Sequence, residues 1–216
     1  MKIYGQDGIN IGNMKHIAIL TGKRGGFGAM IGLMKLLEAS KNFKFSLMVT
    51  DMHLNPVFGA TVEEVEKWFG VSEKIDLEQV DDSGFERSKA MGRAIIKFSD
   101  ALQKLKPDIL LTLGDRGEVL AACIAAMEMN IPIAHILGGD KVGNRDGNRI
   151  HAITKLAHLH FPSSKDAADR ILKLGEEDWR VHNVGATYVD YIVQNKYTPN
   201  AEARVKYGIA PHEEYC

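Results

Sequence analysis

The chain has 216 residues, of which 45% are hydrophobic and 25% are charged, a composition typical of a globular protein with a sizeable core. Its formal net charge of -1 gives no reason to expect nucleic acid or an anionic membrane as a partner. No apolar run approaches the ~20 residues that cross a membrane, and the start "MKIYGQDGINIGN" lacks the apolar core of a secretion signal.

Short apolar runs alternate with helical patterns along the chain. Runs rich in β-branched residues predict strands, and apolar residues at helical spacing predict helices. In chain order we expect strand 16–22, helix 29–40, strand 43–50, helix 61–70, strand 74–77, helix 85–105, strand 108–114, helix 116–129, strand 131–136, helix 149–157, strand 159–162, helix 165–174, strand 180–185, helix 187–194 and a last helix 200–207. Thr61, with Glu64 three residues later, has the pattern of a capping box.

This alternation predicts an α/β fold. Strands that are apolar without polar alternation, separated by helices, indicate a parallel sheet covered on both faces. Right-handed crossovers then give a doubly wound, Rossmann-like sheet. We assign residues 14–195 to this domain, 1–13 to an N-terminal extension, and the polar stretch 196–216 to a linker or the truncated start of a second domain.

The two cysteines, Cys123 and Cys216, predict no disulfide framework and no cysteine-rich metal site. Cys123 lies in an Ala-rich apolar run typical of buried positions, whereas Cys216 is the last residue and is expected to be exposed. This usage fits a reducing cytosol, so we expect a cytoplasmic protein.

Doubly wound sheets bind ligands at the carboxyl ends of their strands, so the residues after each strand are the candidates for function. The first strand is followed by "TGKRGGFG" (21–28), which is neither a Walker loop nor a GxGxxG motif. Glycines before a helix let backbone N–H groups approach an anion, with Arg24 beside them. The alternative is a tight turn with a solvated Arg24.

Other strand ends carry histidines, an arginine and carboxylates: His53, Asp115, Arg116, His135, Asp140 and Asp146. Each has a structural alternative, because the histidines can be loop or core residues and the aspartates helix caps or turn residues. Their convergence on one edge favours a functional site. Arginines fit a phosphate, and carboxylates and histidines fit proton transfer.

The pair His158 and His160 would share one face of a strand, an arrangement that can hold a metal ion. No third ligand lies nearby in the sequence, so a structural role is favoured and no metal site is assigned.

At these residues the chain resembles the UDP-N-acetylglucosamine 2-epimerase family, most closely its hydrolysing branch in sialic-acid-type sugar biosynthesis. The matching stretches run from residue 14 to about 190: "ILTGKRGGFG", "VTDMHLNPVFGATVEEVE", "LKPDILLTLGDRGEVLAA", "IPIAHILGGD" and "HAITKLAHLHFPSS". The resemblance implies the N-terminal half of a GT-B-like two-domain fold, with the nucleotide sugar between the domains.

The resemblance also implies a reaction without metal or nicotinamide cofactor. A base removes the C2 proton of the sugar while UDP leaves C1, and hydration of the resulting glycal gives N-acetylmannosamine. By position, the family's catalytic carboxylates fall on Asp115 and Asp146, and its substrate-binding residues on Arg24, Arg116, His53, His135 and Asp140. The implied partners are a UDP-sugar and either a second copy or a C-terminal domain.

Three positions depart from the family's pattern. Gly26 stands where an aspartate is usual, Leu137 where a polar residue, often glutamate, is usual, and Ile150 where an arginine is usual. These departures leave open a divergent, catalytically silent domain that binds a nucleotide sugar or a partner. An unrelated nucleotide-binding α/β domain is disfavoured by the missing GxGxxG and by the ordered motifs.

Overall fold

The computed structural model describes residues 14–143, 145–194, 200–210 and 213. The predicted extension 1–13 and Cys216 lie outside the described residues, as does part of the predicted linker. The fold is the expected doubly wound α/β arrangement. Within these ranges, six parallel strands form one sheet: β1 (Lys15–Thr21), β2 (Phe43–Thr50), β3 (Val71–Ile75), β4 (Ile109–Leu113), β5 (Ile133–Ile136) and β6 (Leu159–Phe161).

The strand order is β3-β2-β1-β4-β5-β6, and every pairing is parallel. Strands β1, β2 and β3 therefore follow one another towards one edge of the sheet. Strand β4 then lies on the other side of β1, and β5 and β6 follow it towards the opposite edge. The carboxyl ends of β1 and β4 mark the point where this order reverses, which is where such sheets open a ligand crevice.

Eight α-helices are described: α1 (Arg24–Glu38), α2 (Val62–Glu66), α3 (Gly84–Leu105), α4 (Gly117–Glu128), α5 (Arg145–Leu156), α6 (Lys165–Lys173), α7 (Thr187–Gln194) and α8 (Asn200–Tyr207). Helices α3, α4 and α5 cover one face of the sheet, with Phe98 fully buried among them. Helices α1 and α2 cover the other face, where Met34 of α1 and Val49 of β2 belong to one buried hydrophobic cluster. Helix α7 packs on α1. The sheet is therefore buried on both faces, which explains why its strands read as unbroken apolar runs.

Several local predictions were wrong. The expected strand 180–185 is a 3₁₀ turn (Asp178–Arg180) followed by an extended segment that makes a single bridge, from Val181 to His160. Helix α1 begins at Arg24, so most of the expected glycine loop is its first turns, and α5 begins at Arg145. Thr61 occupies the cap position of α2, but its hydroxyl makes no cap bond.

Candidate active site

Two cavities open at the carboxyl edge of the sheet. The smaller, of about 180 Å³, lies at the reversal point between β1 and β4. The larger, of about 660 Å³, lies at the ends of β2 and β3. Arg116 and Glu118 line both, so they form part of the wall between them.

Asp115 lines the smaller cavity, directly after the left-handed turn at Gly114 (φ 85°) that ends β4. It does not cap α4, because the cap position belongs to Arg116. Partial burial raises the pKa of the Asp115 carboxyl above its ordinary value, and the charge of Asp146 raises it further. Lys23 and Arg116 act in the opposite direction. Asp115 thus has the setting of a group that exchanges protons with a ligand.

Asp146 lines the larger cavity, in the first turn of α5 rather than before it. Its carboxylate accepts a hydrogen bond of 2.8 Å from Arg149 one turn later. Asp140 lines the smaller cavity, and burial raises the pKa of its carboxyl, while Arg170 lowers it. The two predicted catalytic carboxylates, Asp115 and Asp146, therefore lie in neighbouring cavities, close enough for one charge to influence the other.

Arg116 is held between two carboxylates. Its Nε donates to Glu118 at 2.6 Å, and one terminal nitrogen donates to Asp51 at the end of β2. The Glu118 side chain is only 4% exposed, and a Cβ at Gly22 would meet its Oε1 at 2.4 Å. Asp51 makes this contact from a left-handed backbone (φ 48°), a conformation that is uncommon outside glycine. The cluster ties the ends of β1, β2 and β4 together.

Arg24 and His53 line neither cavity. The Arg24 guanidinium forms a two-pronged bond with Glu64 at 2.9 and 2.5 Å, and it is largely exposed. His53 is 1% exposed, and its two ring nitrogens bond the hydroxyls of Thr21 (3.1 Å) and Thr61 (2.7 Å). In this arrangement His53 ties β1 to the start of α2, a structural role.

His135 is fully buried in β5 and also lines neither cavity. Its Nε2 donates to the Gly114 carbonyl at 2.7 Å, because a carbonyl can only accept. The Nδ1 therefore carries the lone pair, and it has no hydrogen-bond partner among the described residues. A Cβ at Gly138 would approach this nitrogen to 2.8 Å, so His135 packs directly against the loop that leads to Asp140.

We expect His135 to remain neutral from pH 8 down to pH 5. Burial lowers the pKa of this ring to about 4 from its ordinary 6.5. Between these two pH values, His135 is therefore protonated in the unfolded chain and neutral in the folded chain. Stability should then fall as pH drops below 6.5, by up to about 1.4 kcal/mol per pH unit. A proton NMR titration of the imidazole signals tests this. An inflection for His135 between pH 6 and 7 would contradict it.

The three departures from the family's pattern meet in one place. Gly26, Leu137 and Ile150 all line the smaller cavity, beside Asp115. A Cβ at position 26 would lie 3.7 Å from Lys23 and 4.0 Å from Leu113, which are ordinary contact distances. Leu137 has a left-handed backbone (φ 61°) and Ile150 is 2% exposed. Leu137 and Ile150 therefore add apolar side chains to a wall that also carries charged ones.

Three residues of this region were not predicted from the sequence: Lys23, Asp51 and Glu118. Asp51 directly follows β2 and Lys23 comes two residues after the end of β1, so their positions after strands could have indicated them. Glu118 is the second residue of α4, and its burial against Gly22 depends on contacts that the local sequence does not reveal. Among the described residues, no group of three or more histidine, cysteine, aspartate or glutamate side chains is arranged to hold a metal ion.

The fold and the cavities define a Rossmann-like α/β domain with a carboxylate-lined cavity at the reversal point of its sheet. The chain belongs to the UDP-N-acetylglucosamine 2-epimerase family, whose sequence model matches residues 35–216. None of the helices in the described ranges combines the length and apolarity needed to span a bilayer.

Two curated relatives are hydrolysing sugar epimerases. The UDP-N,N'-diacetylbacillosamine 2-epimerase (hydrolyzing) of Legionella pneumophila is 34% identical over 94% of this chain and 54% of its own length. The GDP/UDP-N,N'-diacetylbacillosamine 2-epimerase (hydrolyzing) of Campylobacter jejuni is 36% identical over 80% of this chain and 45% of its own. The chain thus spans about half the length of the curated relatives it matches.

Solved structures agree on the fold. The UDP-GlcNAc 2-epimerase from Neisseria meningitidis bound to UDP-GlcNAc superposes with a TM-score of 0.73 at 20% identity, covering 83% of this chain and 48% of that one. Coverage of about half is what one half of a GT-B-like two-domain fold requires.

Proposed function

We propose that this chain carries the acid–base half of a hydrolysing 2-epimerase acting on UDP-N-acetylglucosamine. The observation that carries the proposal is the position of Asp115, a carboxylate lining the cavity at the reversal point, with the charge of Asp146 acting on it from the neighbouring cavity. Two carboxylates in adjacent cavities suit a reaction that exchanges protons on opposite faces of one carbon.

The proposed chemistry has two steps. Asp115 takes the C2 proton while the C1–O bond breaks, so UDP leaves with the bonding electrons and a C1=C2 double bond forms. Water then adds through oxygen to C1, and Asp146 directs the proton to the opposite face of C2. The sum is UDP-N-acetylglucosamine plus water giving N-acetylmannosamine plus UDP. No metal or redox step enters this balance.

The wider setting follows from this activity as further proposals. Residues 14–195 form the domain, and a second domain or a second copy completes the cleft. The protein works in the cytoplasm, and N-acetylmannosamine feeds sialic-acid-type sugar synthesis. The names of the two curated relatives favour a second candidate substrate, UDP-N,N'-diacetylbacillosamine.

A time course in deuterated water tests the activity. Phosphorus NMR follows free UDP, and proton NMR identifies the sugar released from each of the two substrates. We expect UDP together with the 2-epimer carrying deuterium at C2. Release of unepimerised sugar would contradict the mechanism. Binding of either substrate without UDP release would instead favour the silent binding domain, which the apolar residues at 26, 137 and 150 already suggest as the alternative.

A further inference from the structure

Carboxylates already engage the arginines that would be expected to hold a phosphate at this edge of the sheet. Ion pairs join Arg24 to Glu64, Arg116 to Asp51 and Glu118, and Arg149 to Asp146. A diphosphate would have to compete with these carboxylates for each guanidinium. Of the two cations that line the smaller cavity with Asp115, Arg116 is thus engaged by carboxylates, and Lys23 is the other.

Lys23 lines the smaller cavity together with Asp115. It is exposed, and it forms no ion pair with any residue that the structure describes. Its positive charge acts on the Asp115 carboxylate and lowers the pKa of that group, as expected for two side chains that line one cavity. The Cγ of Lys23 lies beside Gly26. Because Gly26 has no side chain, there is free space next to this part of the lysine.

The covalent structure of the substrate places its leaving group near this lysine. The proton to be removed is on C2, and the diphosphate oxygen is on C1, the next atom of the ring. A base in contact with the C2 proton therefore has the first phosphate within the reach of a flexible lysine in the same cavity. An ammonium group suits this role, because it is a mobile point charge that can follow a departing phosphate.

Resting on the proposed function, we propose that Lys23 is a substrate-binding residue that contacts the diphosphate of the nucleotide sugar and stabilises its negative charge as the C1–O bond breaks. The competing view is that Lys23 is a solvated surface residue whose only effect is on the charge of Asp115. In that case its removal would leave phosphate binding unchanged.

The test compares Lys23→Gln with Lys141→Gln, an exposed lysine on the same edge that lines neither cavity. Each purified chain is titrated with UDP and with uridine, and phosphorus NMR records the shifts of the two phosphates. We expect Lys23→Gln to weaken UDP binding roughly 10-fold or more, as for loss of a charge-assisted hydrogen bond, and to abolish the shift of the β-phosphorus. Uridine binding and the Lys141→Gln variant should match the wild type.

The outcomes separate this inference from the proposed function. Equal UDP affinity in wild type and Lys23→Gln, with both chains folded by circular dichroism, would overturn the role of Lys23 and leave the epimerase proposal standing. UDP binding that depends on Lys23, without UDP release from either sugar nucleotide, would support Lys23 and overturn the activity. No UDP binding by the wild-type chain at millimolar concentration would overturn both.

Discussion

Replacing Asp115 by asparagine is expected to lower the rate of UDP release at least 100-fold while leaving UDP binding intact. Asparagine has nearly the shape of aspartate, but it cannot accept the C2 proton, and a positioned acid–base group contributes roughly 10²- to 10⁴-fold. Binding should survive, because the substitution removes a negative charge near the diphosphate rather than adding one. Phosphorus NMR of UDP release, with UDP titration alongside, measures both quantities.

The pH profile provides a second reading of the same variant. Burial raises the pKa of the Asp115 carboxyl, and a base works only when deprotonated, so wild-type kcat/KM should rise with pH through a pKa above the ordinary 3.8. This acid limb should vanish from the residual activity of Asp115→Asn. Asp169→Asn, at an exposed pair with Lys165, is the control and should retain the wild-type profile. If Asp115→Asn kept more than a tenth of the wild-type rate of UDP release, another residue would have to be the base.

Replacing Arg116 by alanine is expected to destabilise the fold by about 3 kcal/mol at pH 7, or roughly 6–12 °C in Tm. The loss leaves the buried carboxylate of Glu118 facing Asp51 without the cation between them. A matched control is Arg87→Ala. The two arginine side chains are equally exposed (32% and 31%), but Glu118 is 4% exposed whereas Asp82, the partner of Arg87, is 78% exposed. The control should change Tm far less, because exposed pairs contribute little.

The loss of stability caused by Arg116→Ala should be larger at high pH than at low pH. Burial already raises the pKa of Glu118 above its ordinary 4.5, with the charge of Asp51 adding, and Arg116 opposes both. Without Arg116 that pKa rises further. A carboxyl with a raised folded pKa loses stability as pH rises through that value. The deficit relative to wild type should therefore grow as pH rises above 4.5, the ordinary pKa of this carboxyl. A deficit independent of pH would mean that Arg116 acts by packing alone.

The fold was predictable because its signal is local. Each strand is an apolar run of a few residues, and each helix carries its own periodicity, so alternation and parallel pairing follow from short windows of sequence. The failure at 180–185 has a physical cause. This segment has the β-branched residues of a strand, but it lies at the open edge beside β6, where it makes a single bridge and stays largely exposed.

The side-chain pairings of the site were not predictable in the same way. Arg24 pairs with Glu64, which is 40 positions away in the chain. Arg116 pairs with Asp51, which is 65 positions away. His53 was expected at the sugar, yet Thr21 and Thr61 enclose it. Sequence patterns place polar residues at a strand end, but which of them bond one another depends on the spacing of strands that are distant in the chain. Asp115, Asp140 and Asp146 do lie at the cavities, and their roles in the reaction stay predictions.

The loop after β5 determines where this site can change over evolutionary time. A side chain at Gly138 would strike His135, and one at Gly139 (φ 83°) would strike the Ala167 carbonyl at 2.4 Å, so both positions are closed to substitution. Leu137 precedes them in the same turn, but its side chain borders open cavity. Positions 137 and 26 both line that cavity, so we expect substitutions there, rather than at the two glycines, to change its shape without losing the fold.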